Sequence, residues 1–220
     1  MVIAQCKNLI KIYNGTQDFR ALDEVSLSIK QGEFISVMGP SGCGKSTLLN
    51  ILGLLDEPSG GEYLLNTHPT SQLSDAGRTE LRRHHIGFIF QSFNLMPRLS
   101  VLENIALPMR YTDMPRAEIL PRARELAKRV GLENKLNSTP LQLSGGQCQR
   151  TACARALANR PSFILADEPT GNLDSRASAD ILRLLQELNQ NGMTIIMVTH
   201  DSKIAAGTHR TIHMKDGKII

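Results

Sequence analysis

The chain has 220 residues, of which 41% are hydrophobic and 21% charged, and its formal net charge is +4. This length suits one large α/β domain, with or without a subdomain, and the composition is ordinary for a globular protein. The basic residues are scattered and form no stripe, so nucleic acid is not the expected partner.

Targeting, membrane and disulfide signals are missing from the sequence. The start, MVIAQCKNLIKIY, lacks the charged region and apolar core of a signal peptide, and no apolar run approaches about 18 residues. None of the four cysteines forms a CxxC pair or has a zinc-ligand spacing with histidine. We therefore expect reduced thiols in a cytoplasmic protein. The cysteines are Cys6, Cys43, Cys148 and Cys153.

The first part of the chain predicts β-strands, a glycine-rich loop and a helix. Residues 2–13 and 21–29 are β-like, and KQGE supplies a turn before the apolar strand FISVMG. After the glycine loop, a helix is predicted from about Lys45. The Pro/Gly turn in EPSGGEYLL leads to another strand, a polar helical stretch starts near Leu73, and IGFIFQ reads as a short strand.

Residues 92–159 differ from the preceding part of the chain, because their hydrophobic periodicity is helical. Prolines break this helical stretch at Pro97, Pro108, Pro115, Pro121 and Pro140. The strand pattern then returns, with the buried strand SFILADEP, the amphipathic helix SRASADILRLLQELNQNG and the buried strand MTIIMVTHD. Strands separated by helices predict a parallel, doubly wound sheet, into which the helical segment is inserted.

The stretch GPSGCGKST matches the phosphate-loop pattern G-x-x-x-x-G-K-[ST], and it lies between a predicted strand and a predicted helix. Its glycines let the backbone wrap the β-phosphate, and the helix N-terminus adds partial positive charge. Lys45 reaches the β- and γ-phosphates, and the Ser46 hydroxyl is expected to ligate Mg²⁺. The predicted triphosphate-binding residues are Gly39, Pro40, Ser41, Gly42, Cys43, Gly44, Lys45, Ser46 and Thr47.

Polar side chains follow three other predicted strands. FILADE ends in Asp167 and Glu168, which a doubly wound fold places beside the phosphate loop. We expect Asp167 in the Mg²⁺ shell and Glu168 as the general base that polarises the attacking water. His200, after IIMVT, is assigned to the γ-phosphate and this water, although a lone histidine is more often structural. Gln91, after GFIF, reaches Mg²⁺ or water through its side-chain carbonyl.

A second glycine pair, in LQLSGGQCQRTACARAL, starts another predicted helix and resembles an anion site without a lysine. With this stretch included, nearly the whole chain resembles the ATPase subunit of an ABC transporter. The motifs are the phosphate loop 39–47, the glutamine loop at Gln91, the LSGGQ signature ending at Gln147, the Walker B strand 163–168, the GNLD loop and the switch histidine His200. The resemblance also places Tyr13 against the adenine ring, the alternative being a core or edge-strand tyrosine.

The resemblance implies an α/β fold with a P-loop NTPase (RecA-like) core, an N-terminal antiparallel β subdomain and an inserted α-helical subdomain. Residues 1–220 are then one ABC ATPase domain. Residues 1–90 and 160–220 form the β subdomain and the core, and about 92–159 form the helical subdomain with the signature.

The resemblance further implies a head-to-tail homodimer that encloses two ATP and two Mg²⁺. Ser144, Gly145, Gly146 and Gln147 of one protomer then meet the γ-phosphate held by the partner's Lys45, and Asp174 lies across the same interface. ATP would join the two protomers, and hydrolysis would remove the phosphate that bridges them.

Within the family, IGFIFQSFNLMPRLSVLENIALPM and LADEPTGNLDS resemble ATPases of macrolide-efflux and lipoprotein-releasing systems. This implies an integral membrane permease as partner and a peripheral location on the cytoplasmic face of the inner membrane. Residues 92–140 are expected to touch the permease's coupling helix. FNLMPRLS is either a docking surface or ordinary subdomain core.

Other interpretations stay open at this point. A cell-division or envelope-remodelling ATPase has similar motifs, and a soluble non-transport ABC ATPase or a binding module without hydrolysis are further alternatives. The chain is expected to be either a stand-alone subunit or the excised domain of a longer protein. Cys148 stands where glutamine or arginine is more usual, and at an interface it would make dimerisation sensitive to oxidation.

Overall fold

The architecture was obtained from a computed structural model that describes all residues 1–220. The ten strands are β1 (Val2–Tyr13), β2 (Phe19–Lys30), β3 (Phe34–Met38), β4 (Gly60–Leu65), β5 (His68–Pro69), β6 (Ile86–Phe90), β7 (Phe163–Asp167), β8 (Thr194–Val198), β9 (Arg210–Lys215) and β10 (Lys218–Ile219). The seven α-helices are α1 (Lys45–Leu52), α2 (Asp75–His85), α3 (Val101–Ala106), α4 (Arg116–Arg129), α5 (Gly145–Ala156), α6 (Ser175–Gln190) and α7 (Ser202–Ala205).

The strands form two sheets. One is antiparallel, in the order β2-β1-β4-β5, and the other has the order β10-β9-β3-β8-β7-β6. In the second sheet β9, β3, β8, β7 and β6 are parallel, and only β10 runs antiparallel, against β9. The predicted α/β fold, with a parallel sheet and an N-terminal antiparallel sheet, is therefore confirmed.

The central strands carry continuous apolar runs because both faces of the parallel sheet are covered. Alternate residues of each strand face opposite sides. On β8, Ile195 and Met197 pack in one core with the helices α3 to α6, whereas Ile196 and Val198 pack in a second core with α1 and the antiparallel sheet. Two cores thus hold the sheet in a fixed position between two layers.

Strand β9 was not predicted, because its sequence RTIHMK is mostly polar. Only Ile212 and Met214 on this strand are buried, and His213 between them is exposed. This alternation is typical of a strand with one exposed face, and β9 pairs with β3 beside the phosphate loop. The polar alternation is weak as a sequence signal next to the apolar runs of β7 and β8.

Residues 92–159 contain α3, α4, α5 and three short 3₁₀ turns, and no strand. The expectation that Pro121 breaks the helix was wrong, since α4 continues through it. Pro121 removes one backbone hydrogen bond near the start of α4, and the buried residues Ile119, Ala123 and Leu126 hold the helix against the core. No helix of the protein combines the length and the apolar content required to span a bilayer.

The packed core around β7 should contribute strongly to the free energy of unfolding, and β7 carries functional residues at its carboxyl end. Ile164 on β7 is fully buried three residues before Asp167. We expect Ile164→Ala to lower the free energy of unfolding by about 2–5 kcal/mol, because the lost methyl groups leave a cavity in a close-packed core. Urea unfolding without nucleotide measures this. Glu125→Ala, which removes an exposed ion pair with Arg122, is the control and should leave stability unchanged. An equal loss in both variants would contradict the expectation.

Candidate nucleotide site

The phosphate loop connects β3 to α1, and its path requires glycine at two positions. Gly44 has a φ of +100°, and a Cβ atom there would lie 2.3 Å from the carbonyl oxygen of Ala21. At Gly39 a Cβ atom would lie 2.1 Å from the carbonyl oxygen of Met214 on β9. Real Cβ atoms do not approach that closely, so the neighbouring strands themselves impose the glycines of the motif.

The loop folds around the Lys45 ammonium group. Lys45 Nζ donates hydrogen bonds of 2.8 Å to the carbonyl oxygens of both Gly39 and Pro40. No side chain caps the N-terminus of α1, so its first backbone N–H groups face the loop without a side-chain acceptor. Unsatisfied N–H groups and a lysine at a helix start form an anion site. Of the other loop residues, Ser41, Gly42 and Ser46 are exposed, Thr47 is half-buried and Cys43 is buried.

Asp167 and Glu168 lie at the carboxyl end of β7, next to this loop. Burial raises the pKa of the Asp167 carboxyl, the Glu168 charge raises it further, and Lys45 opposes the shift. Glu168 has a φ of +45°, and its backbone N–H donates to the carbonyl oxygen of Val198 at 3.0 Å. This left-handed turn directs the Glu168 side chain away from the strand.

The Glu168 carboxylate pairs with His200. The Oε1 atom of Glu168 lies 2.9 Å from Nδ1 of His200, and the two side chains are 16% and 72% exposed. The sequence prediction that these residues meet at one edge of the sheet agrees with this geometry. Because one side chain is mostly buried and the other mostly exposed, the pair spans the boundary between the core and the solvent.

Gln91 follows β6 and contacts the loop after Glu168. Its Nε2 donates to Oδ1 of Asn172 at 3.2 Å, and Nδ2 of Asn172 donates back to the backbone carbonyl oxygen of Gln91 at 3.1 Å. Sequence reasoning missed Asn172, since one asparagine in a polar loop carries no signal by itself. The reciprocal pair leaves Oε1 of Gln91, a hard oxygen donor, outside the contact.

The signature segment lies at the start of α5, outside the phosphate loop of its own chain. Ser144 caps α5: its Oγ accepts from the Gln147 N–H at 3.3 Å, while Oε1 of Gln147 accepts from the Ser144 N–H at 3.0 Å. Ser144 and Gly145 are exposed. A Cβ atom at Gly146 would lie 3.1 Å from Cβ of Ala177, so the glycine also permits close packing of α5 on α6.

Asp174 lies at the start of α6, and Tyr13 lies at the end of β1. The Oδ1 atom of Asp174 accepts from the Ala177 N–H at 2.8 Å and caps α6. Tyr13 is the last residue of β1, an interior strand of the antiparallel sheet, and its side chain is 40% exposed, so it is neither a core residue nor an edge-strand residue. Its hydroxyl donates to Oδ2 of Asp56 at 2.8 Å, and the Lys11 ammonium lies 4.9 Å from the ring centroid.

Cys148 is not exposed at the surface of the protomer, which argues against its oxidation at an interface. Its side chain is buried, at 7% exposure, and its Sγ donates to the carbonyl oxygen of Pro140 at 3.6 Å. Burial raises the pKa of this thiol and so disfavours its thiolate form. Cys148 therefore acts as a small apolar residue on the inner side of α5.

A family model described as ABC transporter matches residues 22–171, which include the phosphate loop, Gln91, the signature segment and the carboxylates of β7. The chain belongs to the ABC transporter family. As an ABC cassette it binds ATP and is an ATPase, so the predicted family and reaction are confirmed. The alternative of a non-transport ATPase is not favoured.

Individual relatives of this ABC cassette resemble it over nearly its whole length. An uncharacterized ABC transporter ATP-binding protein of Bacillus subtilis, YvrO, is 46% identical over 97% of this chain and 93% of that protein. MJ0796 of Methanocaldococcus jannaschii is 49% identical over 97% of this chain and 93% of that protein. The macrolide export ATP-binding/permease protein MacB of Burkholderia thailandensis is 49% identical over 94% of this chain, which corresponds to 32% of MacB.

A solved structure described as a dimeric, post-hydrolysis state of the cassette MJ0796 with ADP and Pi has a TM-score of 0.90 to this ABC cassette. The identity is 48%, and the match covers 99% of this chain and 96% of that chain. The likeness extends over both sheets and the helical segment, so the whole fold, and not the phosphate loop alone, is that of an ABC ATPase.

The raised pKa of Asp167 should be visible in the pH dependence of stability. A carboxyl whose folded-state pKa lies above the ordinary value of 3.8 contributes stability below that value, and the contribution is lost as pH rises through the folded-state pKa. Without nucleotide and with a chelator present, the stability of the wild type relative to Asp167→Asn should therefore fall as pH rises from 3.8. Denaturant unfolding at a series of pH values measures this difference. Parallel profiles for the two proteins would show that burial does not act on Asp167.

Proposed function

We propose that this cassette works as an ATP-driven head-to-tail homodimer that powers a membrane permease of the macrolide-export or lipoprotein-release type. The observation that carries the proposal is the meeting of Lys45, Asp167 and the Glu168–His200 pair at one sheet edge, while Ser144 lies exposed at the start of α5. One protomer thus supplies a phosphate loop and a base, and its exposed helix start is free to serve the nucleotide of another.

Within one protomer, Glu168 is the general base. Its carboxylate accepts the proton of the attacking water, and His200 Nδ1 donates to Oε1 and fixes the orientation of the carboxylate. The exposed His200 ring is then able to approach a γ-phosphate, and loss of that phosphate releases it.

The oxygen atoms around the phosphate loop suit Mg²⁺. The Ser46 hydroxyl, the Asp167 carboxylate and Oε1 of Gln91 are hard donors, and no group of three or more acidic, histidine or cysteine side chains competes for the ion. Such a sparse protein set fits an ion that is held mainly by triphosphate and water. When bound, Mg²⁺ neutralises charge on the β- and γ-phosphates. Asp167, half-buried beside Lys45, positions its carboxylate for this shell.

Two further contacts hold the nucleotide. The half-exposed Tyr13 ring stacks on adenine, and its hydroxyl bond to Asp56 keeps the ring at the end of β1.

The partner's Ser144, Gly145 and Gly146 meet the γ-phosphate through the Ser144 hydroxyl, backbone N–H groups and the dipole of α5. Gln147 shapes this end by its reciprocal bonds to Ser144. Asp174, at the start of α6, lies at the same proposed dimer interface. The MJ0796 structure, which is described as dimeric with ADP and Pi, supports a dimer as the working unit.

The permease would dock at a groove between α2, β6 and the helical segment, which places the cassette peripherally on the cytoplasmic face of the inner membrane. The groove has a volume of about 410 Å³, and Phe88 and Phe90 lie in its floor. Leu55 and Tyr111 at its rim are 49% and 67% exposed. The FNLMPRLS segment is mixed, because Met96 is exposed and Leu99 is partly buried. An exposed apolar groove fits a short helix of a membrane protein, and MacB joins a similar cassette to a permease in one chain.

The dimer is tested with a pair of substitutions. Glu168→Gln should abolish turnover, since a general base contributes about 100-fold to 10,000-fold, and should accumulate an ATP-bound dimer in light scattering. Adding Ser144→Arg should leave ATP binding intact and remove the dimer, because a bulky side chain blocks the exposed helix start. A double variant that still dimerises on ATP would refute the role of the signature in trans.

The docking groove is tested with a charge on its rim. We expect Tyr111→Asp to weaken binding to the permease reconstituted in lipid by about 10-fold or more, because a carboxylate without a partner is unfavourable in an apolar contact. The measurement is the ratio of ATPase activity with and without permease. Leu120→Asp, at an exposed apolar residue of α4 outside the groove, is the matched control. Equal ratios in both variants would place the permease elsewhere.

A further inference from the structure

Gln149 is a fully buried amide on α5 that the ATPase chemistry does not use. Its Nε2 donates to the carbonyl oxygen of Pro169 at 2.6 Å and to that of Phe90 at 3.3 Å. No protein donor reaches its Oε1. One side chain of α5 therefore joins the ends of two strands of the parallel sheet.

The orientation of this amide follows from its partners. Both are backbone carbonyl oxygens, which only accept, so the NH₂ group must face them and Oε1 must point away. A buried acceptor without a protein donor is unfavourable, and an apolar residue of the same size would avoid it. Packing alone thus does not account for a glutamine at this position.

The two carbonyl groups belong to the segments that carry the proposed chemistry. Phe90 is the last residue of β6 and is followed by Gln91, and Pro169 directly follows Glu168. Ser144, the exposed cap, begins the helix that carries Gln149. The Gln91 loop, the loop after the base and the signature segment are therefore connected through one amide.

Arg155, on the same helix, holds the far side of the Gln91 loop. Its two terminal nitrogens donate to the carbonyl oxygens of Phe93, at 2.9 Å, and Asn94, at 2.5 Å. Phe93 and Asn94 have φ angles of 63° and 48°, a left-handed conformation that asparagine tolerates but that is unfavourable for a bulky residue such as Phe93. Helix α5 thus fixes the segment 90–94 at both ends, and a displacement of α5 is passed to it.

We propose that Gln149 is a positioning residue that sets the Gln91 loop and the loop after Glu168 according to the position of α5. A contact made at Ser144 by the nucleotide of the partner subunit is thereby transmitted to the base of the protomer that carries the signature. This inference rests on the proposed contact of the signature in trans.

The test compares two buried amides that each bridge two backbone carbonyl groups. Gln149→Met removes the donor at nearly constant volume. Asn189→Leu is the matched control, because Nδ2 of Asn189 donates to the carbonyl oxygens of Gly32 at 2.9 Å and Met193 at 2.8 Å, at the opposite end of the sheet. Each variant is assayed well below its own melting temperature for ATP affinity as a monomer, for kcat, and for the protein concentration that gives half-maximal ATPase activity.

Gln149→Met should keep the monomer's affinity for ATP, since the phosphate loop is untouched. Its kcat should fall by about 10-fold or more, because small misplacements from outside a site cost up to about 100-fold, and more protein should be needed for activity. Asn189→Leu should lose thermal stability and keep both kinetic values. Wild-type kinetics in Gln149→Met, or the same kinetic loss in Asn189→Leu, overturns the proposal.

Where Gln149→Met does not fold, Gln149→Asn is used with the same measurements. It keeps an amide but is one methylene shorter, so it cannot reach both carbonyl groups, and the same fall in kcat is expected. Ser144→Arg distinguishes a failure of the signature contact in trans from a failure of the role of Gln149. If it still dimerises on ATP, the signature contact in trans fails. If it is monomeric while the Gln149 variants behave as wild type, only the role of Gln149 fails.

Discussion

The parallel alignment of β3, β8, β7 and β6 is the constraint on which the rest of the site depends. Because these strands run in one direction, the residues that follow them meet at one edge of the sheet. The phosphate loop, His200, the β7 carboxylates and Gln91 come from stretches far apart in sequence. Their proximity follows from strand direction and register, which the apolar cores on both faces of the sheet fix.

Helix α5 is the second organising element, since it has two kinds of environment along its length. Its exposed start presents Ser144 to the solvent, whereas its buried side turns Cys148 toward Pro140 and joins Gln149 to the ends of β6 and β7. The capping box and the close packing of Gly146 on Ala177 make this start rigid. A rigid helix transmits force along its axis, whereas a flexible loop at the same place would absorb it. The same glycine pair thus serves helix packing and, in the proposed dimer, anion recognition.

Much of this molecule was predictable from local sequence. The apolar runs before GPSGCGKST and ADE identify buried strands, and the motif spacing assigns the elements that follow them. The predictions failed where several residues had to be seen together. Pro121 does not end α4, because tertiary burial outweighs the lost hydrogen bond. Strand β9 was missed because half of its residues are exposed and polar. The sequence also left the environment of Cys148 open, and only the packing of α5 shows that its side chain is buried.

The sequence by itself determined the fold class, the ABC family and the residue types of the nucleotide site, because these depend on short motifs and on periodicity. Only the tertiary structure decided which atoms meet. The 2.9 Å contact between Glu168 and His200, the reciprocal pair of Gln91 and Asn172, and the buried bridge of Gln149 all join residues from separate elements. Their distances depend on how the elements pack, and packing is a property of the whole chain that no single segment encodes.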